Sequence, residues 1–73
     1  MRITTYIQNV ASVDSSWCRI HRETHCLSIQ LNMAKSDGKY EVSVFLEDSA
    51  SMPAFLDSLI CELERLKKEA SSG

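Results

Sequence analysis

Residues 52–66 read Met-Pro-Ala-Phe-Leu-Asp-Ser-Leu-Ile-Cys-Glu-Leu-Glu-Arg-Leu. Met52, Phe55, Leu56, Leu59, Ile60, Leu63 and Leu66 recur there at spacings of three and four, the period of one amphipathic α-helix. Asp57, Ser58, Glu62, Glu64, Arg65, Lys67 and Lys68 fall on the opposite arc. The apolar stripe needs a cover that the helix cannot supply, so the earlier chain is expected to form it. Ser49 and Ser51 are candidate N-caps, and Pro53 stands where no intrahelical N–H is needed. Glu47, Asp48 and Asp57 lie toward the positive end of the helix dipole, Lys67 and Lys68 toward the negative end. Glu62 with Arg65 and Glu64 with Lys68 have the spacing of solvated ion pairs. Beyond residue 70 the pattern dissolves into Ser71-Ser72-Gly73, read as a disordered tail behind a single domain of residues 1–70.

Immediately upstream, Tyr40, Val42, Val44 and Leu46 alternate with Glu41, Ser43, Phe45 and Glu47, as in a strand with one buried face. Asp37-Gly38 precedes them, a pair that tolerates positive φ in a hairpin turn. Before that turn Leu27, Ile29, Leu31 and Met33 alternate with Ser28, Gln30 and Asn32, which completes the hairpin. A turn at Arg22-Glu23-Thr24-His25 pairs His21 with Cys26 and Ile20 with Leu27. A turn shorter by one residue would place Arg19 and His21 on the apolar face, so the hydrophobic pattern selects the longer one. Residues 2–10 alternate loosely and are read as a further strand, with residues 11–16 as a connection or the start of the next strand. The expected order is β-β-β-β-α, or β-β-β-α if residues 16–33 form one bent strand. This is an α+β fold: a small antiparallel sheet of three to four strands, then one C-terminal amphipathic helix packed on one sheet face.

A chain of 73 residues has room for one core and little room for a deep pocket. Its net charge of -2 argues against a general phosphate-binding surface. No window approaches the ~20 apolar residues that span a bilayer, and the first residues lack the apolar run of a secretory signal. With an odd number of cysteines, reduced thiols and a cytoplasmic location are expected.

One cluster raises a chemical question. Cys18, His21, His25 and Cys26 form C-x2-H-x3-H-C, four zinc-ligand types within one short stretch. Structural zinc sites usually draw two pairs from separated segments, and here no second pair follows. Cys18 and His21, an odd number apart on a strand, point to opposite faces. Cys61 is placed mid-helix, away from any cation that would stabilise thiolate. No phosphate-binding loop, H-E-x-x-H or C-x2-C motif is present, so neither enzymatic activity nor a cofactor is expected.

Trp17 and Phe45 carry more weight. Both fall on the sheet face opposite the helix, among Arg19, His21, Ser28, Gln30, Ser43 and Glu47, the composition of a contact patch; the alternative is that they bury each other across the sheet or that the register differs. The sequence therefore favours a non-enzymatic protein-binding module, an adaptor, inhibitor or regulatory subunit of the kind met among phage and mobile-element inhibitors of host machinery. It would act through Trp17, Arg19, Phe45, Gln30 and Glu47, through an edge strand, or by pairing with itself as a homodimer. The alternative is a zinc module built on Cys18, His21, His25 and Cys26, completed across a dimer. A third reading, nucleic-acid binding through Arg2, Arg19, Arg22 and Trp17, is opposed by Glu41 and Glu47.

Overall fold

The computed structural model describes residues 1–72. A four-stranded antiparallel sheet is followed by one C-terminal helix: β1 (Val10–Val13), β2 (Arg19–His21), β3 (Cys26–Met33), β4 (Lys39–Phe45) and α1 (Met52–Ser72). The longest strand, β3, is central. β4 pairs along one side of it, from Cys26 opposite Phe45 to Asn32 opposite Lys39. β1 and β2 share its other side, β1 against Leu31–Met33 and β2 against Cys26–Ser28. The sheet is thus three strands wide, with one edge position split between β1 and β2.

The split is made by a single turn of 3-10 helix, Ser15–Trp17, capped by Asp14, whose carboxylate accepts from Ser16 N at 3.2 Å. Asp14 N still donates to Gln30 O at 2.8 Å, holding the register beside the interruption. The alternating residues 2–9 do not form the expected strand. β1 begins only at Val10, because Val10 already faces Met33, the last residue of β3, and anything earlier would run past the ladder. Asn9 turns the chain away at φ 58°, its carbonyl accepting from Ala34 N at 2.7 Å.

The turn at Arg22–His25 gives the expected pairs, His21 with Cys26 and Ile20 with Leu27. The other hairpin corrects an expectation, since Gly38 has no positive φ. A Cβ at Gly38 would lie 3.1 Å from Ser36 Oγ, so close approach of the turn is what suits glycine there. Positive φ instead falls on His25, at 56°, histidine being one of the residues enriched in that region.

Leu27, Ile29 and Leu31 share a face with Val44, Val42 and Tyr40, and Ile20 joins them. Leu56 meets this face, lining one depression with Ile20 and Leu27. Leu27 and Met52 are buried where sheet and helix meet, and Cys26 and Ser28 are buried in the central strand. Phe55, Leu56 and Leu59 are half-buried, and from Ile60 onward every residue of α1 is exposed. The stripe is therefore covered along its first turns only. Asp48, rather than either serine, caps the entry: its carboxylate accepts from Ser51 N at 2.8 Å and from Ser51 Oγ at 2.7 Å, setting a 3-10 turn (Ser49–Ser51) that runs into α1. The helix continues through Ser72, so residues 71 and 72, expected in a tail, belong to it, while Gly73 lies outside the described residues. On its solvent side Arg65 bridges Glu62 (2.9 Å) and Glu69 (3.1 Å).

Candidate partner-binding face

Register places three rows of side chains on the sheet face away from the helix. His21, Cys26 and Phe45 form one row across the strands; Arg19, Ser28 and Ser43 the next; Gln30 and Glu41 the third. Ser28 Oγ lies 3.4 Å from Ser43 Oγ and 3.7 Å from Cys26 Sγ, a short polar chain through the centre. Asn32 Nδ2 donates to Ser12 Oγ at 2.9 Å at the far end. Lys39 reaches across β3 to pair with the Asp14 carboxylate, and that bond holds the Asp14 carboxyl below its ordinary value. Gln30 Oε1 is buried and has no hydrogen-bond partner among the described residues.

Trp17 is 54% exposed and Phe45 68%. Trp17 stands in the 3-10 turn that splits the ladder, and the Arg19 guanidinium sits 5.1 Å from its ring centroid, within cation–π range. That stack restricts a side chain that would otherwise sweep freely. β2 and β4 flank β3, so Arg19 and Phe45 stand on strands about 10 Å apart, two interstrand spacings. Register puts Arg19, Gln30 and Phe45 on one face, and Trp17 is linked to it by its stack with Arg19. Glu47 does not belong to it by register, because β4 ends at Phe45 and Glu47 lies exposed in the link to α1.

The Cys/His cluster is dispersed. The Cys18 thiol donates to Asp14 O at 3.4 Å, Cys26 Sγ is buried beside Ser28, and His21 is exposed at the end of β2. His25 Nδ1 lies 2.8 Å from Ser49 Oγ, and Ser49 Oγ donates to Arg22 O at 2.7 Å. Since Ser49 spends its one proton on that carbonyl, His25 Nδ1 must be the protonated nitrogen and donates to Ser49. Among the described residues no three metal-ligand side chains come together. His25 is a clamp between the β2–β3 turn and the start of α1, a role that sequence spacing could not signal, its partner being 24 residues away. Cys18, Cys26 and Cys61 are all free thiols.

No helix among the described residues is long and apolar enough to cross a membrane. Ile20, Arg22, Ser49, Met52, Pro53 and Leu56 line a cleft of about 180 Å³ between β2 and the start of α1. Compared with protein-family models, curated proteins and solved structures, the chain gives no match.

Proposed function

We propose that this chain is a non-enzymatic protein-binding module whose contact surface is the sheet face bearing Trp17, Arg19 and Phe45. The observation that carries the reading is the Trp17–Arg19 stack, a large aromatic held in place yet more than half open to solvent. Tryptophan and arginine are enriched among the residues that dominate binding energy at protein interfaces, tryptophan because it buries much surface for little loss of side-chain freedom. Phe45 supplies a second apolar anchor, and Ser43, Glu41 and His21 a polar rim. The mixed charge of this face, which carries both Arg19 and Glu41, suits a protein better than a polyanion. The free thiols fit a cytoplasmic setting, and adaptor, inhibitor and regulatory subunit all remain within the reading.

The test uses the single tryptophan as its own reporter. Tagged wild-type chain crosslinked in lysate should capture a discrete partner, and adding that partner purified should shift the Trp17 emission. Trp17→Ala should lose capture roughly thirtyfold or more, in line with an interface hot spot, while its circular dichroism melt stays at the wild-type temperature. Capture at the wild-type level by both Trp17→Ala and Phe45→Ala, or a collapse of the fold in either, would overturn the assignment of this face.

A further inference from the structure

The surface on the other side of the molecule is too large for a chain of this size that stands alone. A compact 8.2 kDa monomer exposes about 4,500 Å², whereas this chain exposes 6261 Å². Its radius of gyration is 14.0 Å, against about 11 Å for a compact fold of this length. Residues 1–8, exposed and without strand partners, account for part of the difference. Part of the rest is apolar surface on the helix side of the molecule. On α1, Ile60, Leu63 and Leu66 are 52%, 54% and 47% exposed. On the helix side of the sheet, Ile29, Leu31 and Val42 are only half-covered, and Val13 and Tyr40 are exposed.

The helix positions themselves carry a pattern. Met52, Leu56, Leu59, Leu63, Leu66 and Ala70 are spaced four, three, four, three, four. That is the narrow a/d seam of helices that pack on other helices, flanked here by charged Glu62, Lys67 and Glu69. Met52 and Leu56 spend the seam on the chain's own sheet. Leu63, Leu66 and Ala70 continue it into solvent over the last turns of a helix about 31 Å long, at ~1.5 Å per residue.

We propose that a second copy of this chain covers that surface, the exposed ends of the two α1 helices packing on each other through Leu59, Leu63 and Leu66 in a two-fold dimer. The area decides the occupant. Even half of the excess is roughly the 800 Å² that one partner contributes to a stable interface. Buried apolar side chains in the single chain amount to Cys26, Leu27 and Met52, so the missing cover has to be present whenever the chain folds. A second copy meets that condition, and an apolar helix stripe is its own complement about a two-fold axis. The Trp17 face lies on the opposite side of the sheet and stays free in each copy.

Sedimentation equilibrium and thermal melts of the untagged protein across roughly a hundredfold range of concentration test this. Twice the chain mass of 8.2 kDa, with a melting temperature that rises with concentration, is the expected result. Leu63→Glu with Leu66→Glu should raise the dimer Kd roughly thirtyfold or more. Trp17→Ala and Lys68→Ala should leave the mass unchanged, which separates this interface from the partner-binding face. A wild-type chain of monomer mass, a melt independent of concentration, or a double variant that stays dimeric would each overturn the proposal.

Discussion

His25 does three things at once. Its backbone takes the left-handed conformation that closes the Arg22–His25 turn, its carbonyl accepts from Leu46 N at 2.8 Å, and its ring donates to Ser49. Alanine at this position loses the ring's bond and keeps the unfavourable φ, so His25→Ala should destabilise the fold by about 1–2 kcal/mol. His25→Gly loses the same bond but relieves the backbone, and should be the milder variant in urea titrations. If the two were equally stable, backbone conformation would not be what the position selects. From sequence alone His25 looked like an exposed turn residue or a metal ligand, because only the fold brings Ser49 to it. The face of Phe45 was legible by contrast, since strand alternation assigns it, whereas Trp17 lies in a 3-10 turn that alternation does not describe. The Arg19 stack on Trp17 was not legible, because it depends on the 3-10 turn that sets the ring over the strand.

At the level of elements, the start of α1 depends on Asp48. The hydroxyl and then the backbone N–H of Ser51 hold its carboxyl below the ordinary value of 3.8, with a smaller contribution from the nearby His25. A carboxyl whose pKa is depressed by folding stabilises the fold fully above its unfolded value, and the contribution fades as pH falls through the folded one. Melting temperature should therefore fall as pH drops below about 3.8, and Asp48→Ala should melt lower at neutral pH and show a shallower loss toward acid. A variant whose acid limb matched wild type would remove Asp48 as the cap. The sequence placed capping on Ser49 and Ser51 because serine is a good cap where an α-helix starts directly. It could not show that one 3-10 turn would come first, moving the cap one residue back. Strand β1 was misplaced for a related reason: alternation in residues 2–8 is real, but β3 ends before it can be used. A strand's extent is set by its neighbour as much as by its own residues.

Across the whole molecule, the register of β2, β3 and β4 followed from hydrophobic alternation, since one residue of slip would reverse every face. What stayed hidden was how much of the helix stripe the sheet would cover, a matter of how far α1 outruns the sheet. The core accordingly centres on Leu27 and Met52, nearer the start of the helix than its full stripe suggests. Leu27→Ala should cost about 2–5 kcal/mol in chemical denaturation. A loss well under that range would mean the centre of packing lies elsewhere.

The interruption between β1 and β2 bears on how this surface can change over time. Trp17 sits in a segment outside the ladder, between two short strands that are each registered independently on β3. Residues can be exchanged or added there without shifting either register, whereas one residue inserted in β3 would send the β3 side chains beyond it to the opposite face. The identity of the residue at Trp17 can therefore vary while the frame beneath it stays intact.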